Sequence, residues 1–320
     1  MKKISIVTPC FNEEENITEL LDRIRKSTAQ IENIEFEHIF IDNGSTDNTV
    51  EIIKKIAKEN NQIKLIINQR NFGHIRSPMH ALLQATGDAV ILMVSDLQDP
   101  PELIPNLIEK WEQGYKVAVC TKPTSKENSG FFILRKLYYR FIKKISDAPL
   151  IENFTGFGIF DKEFINQFRK LNDPYPYFRG LISEFGFKAA EIPFEQPRRV
   201  RGITKNNLYT LYDMAMLGIT SHSKLPLRLA TMSGFVLSFI SLLIAIGYGV
   251  AKLLFWDSFS LGMAPLVVGL FFFGSVQLFF IGLLGEYIGA IHTQVMKRPL
   301  VIEKERINFD VGNVNGHDAL

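Results

Sequence analysis

Short apolar runs alternate with amphipathic segments over residues 4–121 of the chain. The amphipathic segments repeat their apolar residues at helical spacing, as Ile17, Leu20 and Ile24 do in the first of them. The apolar runs are rich in β-branched residues and predict five strands, over 4–9, 36–41, 63–67, 89–94 and 116–121. Strands that alternate with helices in this order predict an α/β domain with a mostly parallel sheet and right-handed crossovers.

Two further strands and one basic helix are predicted beyond residue 121. Residues 154–161 and 189–194 have strand character, and the glycines of the first predict a close backbone approach. Residues 131–146 alternate aromatic and aliphatic side chains with cations, which include Arg135 and Arg140. This pattern predicts an amphipathic helix, either in a membrane interface or on an ordinary solvated surface.

Two long apolar segments dominate the last third of the sequence. Residues 229–256 contain a single charge, Lys252, and residues 263–287 contain only Glu286, near one end. About 20 residues suffice to cross a bilayer, so these segments predict two transmembrane helices rather than the alternative, a buried soluble hairpin. Lys and Arg flank the outer ends of the pair, which predicts a multi-pass protein of the cell inner (plasma) membrane with both ends in the cytoplasm.

The sequence therefore divides into four parts. We expect a cytoplasmic domain over 1–205, juxtamembrane interfacial helices over 206–228, two transmembrane helices over 229–291 and a cytoplasmic tail over 292–320. The tail is polar and aperiodic beyond Glu303, which predicts disorder. Small residues four apart, at Ser241, Ala245 and Gly249, motivate the hypothesis of a homo-oligomer.

Composition and charge narrow the classes of partner. The formal net charge is +2, which gives no reason to expect nucleic-acid binding. The two cysteines, Cys10 and Cys120, both fall on predicted buried strands, so we expect no disulfide framework and a reducing, cytosolic setting. Lys2 and Lys3 precede only a short strand-like run, so no signal peptide is predicted.

Polar residues follow each of the first four predicted strands, namely Glu13, Asp42, Asn71 and Asp96. Because the carboxyl ends of parallel strands meet at one edge of a sheet, we expect these side chains to converge, although each alone is also an ordinary turn or cap residue. Such an edge can hold a nucleotide, with carboxylates on the base and ribose and with Arg70 on phosphate. Neither a G-x-G-x-x-G motif nor a P-loop motif occurs in the sequence.

The stretch 96–101, with the sequence DLQDPP, follows the fourth strand closely. Oxygen ligands of this kind suit Mg²⁺ or Mn²⁺, which take one or two carboxylates together with water and phosphate oxygens. The alternative is a helix start, with Asp99 as the N-cap and proline in the first turn. Both interpretations can hold for the same residues.

A second basic stretch lies at 198–205 and contains four cations, among them Arg199 and Lys205. Arginine presents a planar fork to phosphate and lysine a point charge, so the pair suits an anionic substrate. The alternative is a juxtamembrane patch that attracts anionic lipid.

Several of these motifs occur in the order found in one enzyme family. The stretches TPCFNE at 8–13, DNGSTD at 42–47, RNFG at 70–73 and DLQDPP at 96–101 resemble the successive motifs of family 2 glycosyltransferases of the GT-A fold. With the later segments included, the chain resembles the polyprenyl-phosphate sugar transferases, the group that contains dolichyl-phosphate mannose synthase and the bactoprenol glucosyltransferases. The resemblance spans about residues 4–300.

The resemblance implies roles for individual residues. The nucleotide of the donor maps onto Pro9, Glu13, Asp42, Arg70, Asn71 and Asp96. The divalent ion, Mg²⁺ or Mn²⁺, maps onto Asp96 and Gln98, and these two residues with Asp99 are the predicted catalytic group.

Two positions depart from the family pattern. Val94 stands where the family has the first aspartate of an Asp-x-Asp motif, so one metal ligand is missing. The chain also has Gly156-Phe157-Gly158 where many relatives have Gly-Asp-Phe-Arg, and Asn153 and Asp161 are the candidate substitutes for that aspartate.

The resemblance implies an inverting transfer of a hexose from a nucleotide diphosphate sugar, UDP-glucose foremost, to polyprenyl (undecaprenyl) phosphate for cell-envelope glycan modification. The acceptor phosphate would be held by Arg199, Lys205, Arg135 and Arg140. A phosphate monoester has a second pKa of about 6, so it is already a nucleophile without a general base. The alternatives are transfer to a lipid-linked or polysaccharide hydroxyl, which needs a base, and a non-catalytic membrane-anchored subunit that binds sugar nucleotide.

Overall fold

An eight-stranded mixed sheet forms the centre of the fold, and its strands come from chain segments both before and after two long apolar helices. The computed structural model describes residues 1–122, 151, 153–171, 173–197, 216–220, 223–255 and 263–309. The strands are β1 (Lys2–Cys10), β2 (Ile34–Asp42), β3 (Ile63–Asn68), β4 (Ala89–Leu92), β5 (Val117–Thr121), β6 (Phe154–Asp161), β7 (Ala189–Pro193) and β8 (Glu303–Ile307). Their order in the sheet is β7-β5-β6-β4-β1-β2-β3-β8.

The strand directions confirm the mostly parallel sheet. β1 pairs in parallel with β2 and with β4, and β2 pairs in parallel with β3. β6 is antiparallel to both β4 and β5, and β8 is antiparallel to β3. The five strands predicted from the first 121 residues all form, with ends within two residues of the expected ones.

The close backbone approach predicted for the glycine-containing strand occurs at Gly158 of β6. A Cβ at this position would lie 2.6 Å from the Ala118 carbonyl oxygen, so only glycine fits there.

Helices cover both faces of the sheet. They are α1 (Ile17–Thr28), α2 (Thr49–Glu59), α3 (Gly73–Gln84), α4 (Ile104–Glu112, after a 3₁₀ turn at Pro101–Leu103), α5 (Lys162–Lys170) and α6 (Phe178–Glu184). Successive strand residues point to opposite faces, so Phe40 joins the core under α1, α2 and α4, while Ile39 and Ile41 join the core under α3, α5 and α6. Because helices cover both faces of the sheet, side chains on both faces of each central strand are buried, which explains the nearly continuous apolar runs.

Two long helices lie between β7 and β8 in the chain, α7 (Leu225–Leu254) and α8 (Met263–Val295). Both contain a candidate membrane span, Leu225–Ile244 with mean hydropathy 1.9 and Gly269–Val295 with mean hydropathy 1.6. Large apolar side chains such as Phe235 and Phe271 are each 73% exposed, as lipid-facing residues are. Near the sheet domain, the Tyr287 hydroxyl of α8 donates to the Ser223 carbonyl oxygen at 2.8 Å, just ahead of α7.

The expected disorder beyond Glu303 is wrong for the strand β8. β8 pairs with the edge of β3, and Gln69 N–H donates to the Ile302 carbonyl oxygen at 2.9 Å. The Asn308 amide then donates to the carbonyl oxygens of Ala57 and Ile63. The strand lacks an alternating apolar pattern because it lies at the edge of the sheet, where charged side chains are favoured. Val301, just before the strand, is buried.

Candidate active site

The first four strands deliver their following loops to one edge of the sheet, here called the rim. Cys10 at the end of β1 is level with Asp42 at the end of β2, and Asp42 is level with Ile67 near the end of β3. On the other side of β1, Val7 is level with Leu92, the last residue of β4. The loops that carry Glu13, Asp42, Asn71 and Asp96 therefore leave the sheet at the same edge, as the sequence predicts.

Asp42 shapes the loop after β2. Its side chain is 1% exposed, and its carboxylate accepts hydrogen bonds from the N–H groups of Gly44 and Ser45, both at 3.0 Å. Gly44 has a φ of +81°, and a Cβ there would lie 2.8 Å from the Arg70 carbonyl carbon. The loop after β2 therefore packs directly on the loop after β3, and only glycine allows this approach.

Asn43 joins these two loops, and sequence reasoning missed it. Its side-chain oxygen accepts from the Phe72 N–H at 2.9 Å and from the Asn68 amide at 3.2 Å. Its amide group donates to the Asn71 side-chain oxygen at 3.0 Å and to the Gly73 carbonyl oxygen at 3.1 Å. Its position next to Asp42 was the only available signal, because the four partners become neighbours only in the fold.

The loop after β1 is bonded to the loop after β2. The Asn12 N–H donates to Ser45 Oγ at 2.9 Å, and Asn12 Oδ1 accepts from the Thr46 N–H at 2.8 Å. The Glu13 N–H donates to Thr49 Oγ1 at 2.8 Å, at the start of α2. These bonds fix the backbone around Glu13 relative to the Asp42 loop.

Pro9 and Arg70 complete the predicted nucleotide-binding set at the rim. The Pro9 carbonyl oxygen accepts from Ser95 Oγ at 3.1 Å, which links the end of β1 to the loop after β4. The Arg70 guanidinium donates to the Asn71 carbonyl oxygen at 2.9 Å and lies 4.1 Å from the centre of the Phe72 ring. Contacts within its own loop therefore hold the Arg70 guanidinium at the rim.

Two acids of the DLQDPP stretch have different environments. Asp96 Oδ1 accepts from the Gln98 N–H at 3.1 Å across a turn in which Leu97 has a φ of +61°. Asp99 is 2% exposed, and its Oδ2 accepts from the Val94 N–H at 3.3 Å. Burial raises the pKa of Asp99 to about 7, and the nearby Asp96 charge adds to this. The buried Asp99 carboxylate therefore stabilises the loop through its hydrogen bond from the Val94 N–H.

Comparison with known proteins decides the family. The model for "Glycosyl transferase family 2" matches residues 5–180, more than half of the chain.

The chain is a family 2 glycosyltransferase.

Among its relatives, the "Bactoprenol glucosyl transferase" of Shigella phage SfII is 36% identical over 306 residues, which are 95% of this chain and 98% of the phage protein. The "Prophage bactoprenol glucosyl transferase homolog" of Escherichia coli K12 is 33% identical over 305 residues, 94% of this chain and 98% of that protein. Among solved structures, glucosyl-3-phosphoglycerate synthase from Mycobacterium tuberculosis aligns with a TM-score of 0.44 and 20% identity, over 68% of this chain and 78% of that one.

A divalent ion fits the rim of this glycosyltransferase only with ligands from the substrate. Within the described part of the chain, no group of three or more His, Cys, Asp or Glu side chains is suited to a metal. Asp96 and Gln98 carry hard oxygens, whereas Asp99 faces inward and Val94 contributes an apolar side chain that is 37% exposed. Mg²⁺ is usually held by one or two carboxylates plus phosphate oxygens and water, so this ligand set fits an ion that bridges to a diphosphate.

The transferase cannot use Asp161 in place of the missing Gly-Asp-Phe-Arg aspartate. Asp161 is level with Ala89, the first residue of β4, and so lies at the edge of the sheet opposite the rim. It caps α5 by accepting from the Glu163 N–H at 2.9 Å, and it also accepts from Trp111 Nε1 at 2.8 Å. Asn153, by contrast, lies beside the end of β5, where its carbonyl oxygen accepts from the Lys122 N–H at 3.1 Å.

The predicted acceptor-binding cations lie outside the described residues of the transferase. They are Arg135, Arg140, Arg199 and Lys205. Their role in holding an acceptor phosphate stays a prediction, as does the interfacial helix over 131–146. Cys10 and Cys120 are both free and buried, as expected for a chain without disulfides.

Proposed function

We propose that this glycosyltransferase transfers glucose from UDP-glucose to polyprenyl (undecaprenyl) phosphate at the cytoplasmic face of the membrane, with inversion at the anomeric carbon. The observation that carries the proposal is the match of almost the whole chain, membrane helices included, to bactoprenol glucosyl transferases. The product would be a polyprenyl-phosphate sugar for modification of cell-envelope glycans.

The C-terminal end of α8, where the helix would leave the membrane, lies close to the rim, and this favours a lipid acceptor. The chain leaves α8 at Val295, and four residues later the Pro299 carbonyl oxygen accepts from the Arg76 guanidinium of α3. Arg76 lies 5.6 Å from the centre of the Phe72 ring, on which Arg70 also packs at 4.1 Å. A lipid headgroup at the bilayer surface would thus be near the phosphate-binding end of the donor site.

The loops after β1 and β2 would hold the nucleoside of the donor. Asp42 uses part of its acceptor capacity on the Gly44 and Ser45 N–H groups, and a carboxylate has about four lone-pair sites, so it can also accept from a ribose hydroxyl. Pro9 and Glu13 would line the nucleobase, and Arg70 would pair with the diphosphate.

Asp96 and Gln98 would hold Mg²⁺ or Mn²⁺, which supplies charge stabilisation for the departing diphosphate when bound. An oxygen of the acceptor phosphate forms the new bond to the anomeric carbon, while the bond from that carbon to the diphosphate oxygen breaks. UDP leaves with the electron pair. Because the acceptor is largely dianionic at neutral pH, the chain needs no general base, and Asn153 need not replace the missing aspartate.

Topology and assembly follow from the same proposal. Lys224 and Arg228 precede the first span, and Lys297 and Arg298 follow the second, so the positive-inside rule puts the sheet domain on the cytoplasmic side. The spacing of Ser241, Ala245 and Gly249 motivates a homo-oligomer through close helix contact. Cross-linking in membranes that yields only monomers would remove the oligomer and leave the activity proposal intact.

A screen of sugar nucleotides tests the function. Membranes that contain the protein would be incubated with undecaprenyl phosphate and each sugar nucleotide, with and without Mg²⁺ or Mn²⁺. We expect an acid-labile phosphodiester-linked glucose lipid from UDP-glucose in the presence of metal, with the anomeric configuration inverted relative to the donor. Transfer only to hydroxyl acceptors would replace the proposed acceptor, and nucleotide binding without turnover of any lipid phosphate would support a non-catalytic subunit.

A further inference from the structure

A basic cavity of about 210 Å³ lies between the strand starts and the C-terminal segment, away from the rim. Four of its lining residues are cations that come from four elements, namely Lys3 of β1, Lys64 of β3, Arg169 of α5 and Arg306 of β8. Gln84 and Phe309 also line it, and none of its described lining residues is acidic. The cavity is thus positive and is separate from the donor site.

The carboxylates behind the cavity wall neutralise only part of this charge. Glu37 accepts from Lys3 at 2.9 Å and from Lys64 at 2.8 Å, so one carboxylate serves two lysines. Glu303 accepts from Arg306 at 2.6 Å but also bonds His80. Within the described part of the chain, the side chains of the four cations thus form ion pairs with only two carboxylates, Glu37 and Glu303.

Arg169 carries the least compensated of these charges. It donates to the carbonyl oxygens of Leu83 and Ala85 and to the Asn166 side-chain oxygen, which are all neutral acceptors. Burial lowers the pKa of the Arg169 guanidinium, which is the expected effect of desolvating a cation. An anion in the cavity would offset this desolvation.

The other walls also suit an anion with several oxygens. The side chains of Lys64 and Arg306 are only 14% and 24% exposed, so their positions are already fixed by packing. The Phe309 ring covers both, at 5.2 Å from Lys64 Nζ and 5.3 Å from the Arg306 guanidinium carbon. Pockets for drug-sized ligands measure about 300–1,000 Å³, so this smaller cavity suits a phosphate group rather than a whole nucleotide.

We propose that this cavity binds a soluble phosphate-bearing anion between Lys3, Lys64, Arg169 and Arg306. The chain enters β8 from α8 at the rim and runs away from it, because Glu303 is level with Asn68 and Ile307 with Leu65. The cavity therefore lies on the side away from the membrane, which favours a soluble anion over a lipid headgroup. A bound anion would link β8 and Phe309 to the first strands and stabilise the docked C-terminal segment.

Thermal unfolding of the full-length protein in neutral detergent, followed by far-ultraviolet circular dichroism, tests the site. Inorganic phosphate would be titrated at constant ionic strength against chloride. At about ten times the dissociation constant, we expect the unfolding midpoint to rise by about 2–5 °C with phosphate and not with chloride. Arg169→Gln and Gln84→Glu should each abolish the rise, the first by removing a cation and the second by placing a carboxylate in the cavity.

Lys2→Gln is the matched control, because Lys2 is an exposed cation of β1 that pairs with Glu112 outside the cavity. It should leave the phosphate response unchanged. If Arg169→Gln fails to fold, Gln84→Glu still tests the site, since it removes no cation. No response in the wild-type protein, an equal response to chloride, or a response that persists in Gln84→Glu but disappears in Arg70→Gln would overturn the proposal. A response seen only when phosphatidylglycerol is added to the detergent micelles would also overturn the proposal.

Discussion

The side-chain amide nitrogen of Asn43 lies 3.0 Å from the side-chain oxygen of Asn71, so the loop after β2 is bonded to the loop after β3. Asn71 Oδ1 also accepts from the Gly73 N–H at 2.8 Å, which fixes the direction of its amide group. If the Asn71 amide turned so that its NH₂ group faced Asn43, the bond from the Gly73 N–H would be lost. The side chain of Asn43 must therefore donate to Asn71. The geometry of the Arg70–Asn71 loop thus depends on a residue that need not touch the donor.

Asn43→Asp is expected to weaken donor binding although the side chain keeps its shape. The change turns a donor into an acceptor opposite the Asn71 oxygen and the Gly73 carbonyl oxygen, and a buried acceptor left without a partner costs about 1–3 kcal/mol. We expect KM for the sugar nucleotide to rise about tenfold, with a smaller change in KM for the lipid phosphate.

The control for this experiment is Asn60→Asp. Asn60 Oδ1 accepts from the Gln62 N–H at 2.9 Å in the turn before β3, away from the rim, and aspartate keeps that acceptor. Initial-rate kinetics with each substrate varied in turn measure both variants. An equal rise in both KM values for Asn43→Asp would indicate general damage and contradict the positioning role.

The apolar periodicity predicted the strands well, because each of the first four is buried on both faces and needs a continuous apolar run. It missed β8, whose sequence EKERI contains four charged residues. β8 pairs on one side of its backbone only, and its exposed and half-buried side chains are mostly charged, so its sequence resembles that of a polar tail.

The polar residues at the strand ends predicted the edge of the sheet at which the acids meet, but they did not predict the role of each acid. Asp96 and Asp99 are both acids of one short stretch, yet Asp99 turns inward to bond the Val94 N–H. Similarly, Asp161 looked like a substitute for the missing aspartate, although the antiparallel direction of β6 carries it to the opposite edge. Strand direction and side-chain orientation are tertiary properties, and the local sequence does not encode them.

Asp96→Asn and Asp99→Asn should therefore differ sharply. Asparagine at 99 keeps an oxygen for the Val94 N–H and matches the uncharged form that Asp99 adopts below its pKa of about 7, so activity at pH 6.5 should stay within about twofold. At position 96 the same change removes the anionic ligand, and a loss of about 3 kcal/mol in transition-state stabilisation lowers kcat about a hundredfold. Rates with lipid phosphate acceptor compare the two, and equal losses would contradict the separation of roles.

Glu37→Gln should make stability less dependent on pH. Burial alone would raise the pKa of this carboxylate, but hydrogen bonds from Lys64, Ser5, Lys3 and the Thr86 N–H lower the pKa to about 2. The ionised form therefore adds stability above pH 4.5, and that stability is lost as the pH falls toward 2. We expect the Glu37→Gln change to cost about 2–4 kcal/mol at pH 7 and much less at pH 3.

Urea unfolding of the detergent-solubilised protein at both pH values measures this difference. Glu35→Gln is the control, because Glu35 lies on the same strand and is exposed. Its replacement should change stability by less than about 0.5 kcal/mol at either pH. A Glu37→Gln variant with the same loss of stability at pH 3 as at pH 7 would contradict the linkage.

Glu303→Gln and Glu305→Gln test the docking of β8. Glu303 bonds both His80 of α3 and Arg306, and these bonds lower its pKa to about 2 despite its burial, whereas Glu305 makes one exposed pair with Lys54 at 2.7 Å. Partly buried, doubly bonded carboxylates contribute more than exposed pairs, which contribute about 0–1 kcal/mol. We expect faster proteolysis of the C-terminal segment in Glu303→Gln than in Glu305→Gln, and equal rates would contradict the anchoring role of Glu303.

Val94→Asp should strengthen metal binding. Val94 lies two residues before Asp96 with its side chain 37% exposed, and its only described bond, from its N–H to Asp99 Oδ2, belongs to the backbone and survives the change. The variant adds a second carboxylate to a site with one, and affinity for hard divalent ions rises with the number of charged ligands. We expect the Mn²⁺ concentration for half-maximal activity to fall about tenfold, with Val94→Asn as the uncharged control. Electron paramagnetic resonance of Mn²⁺ binding without sugar nucleotide gives an independent readout, and an unchanged affinity in Val94→Asp would place the ion away from Asp96 and Gln98.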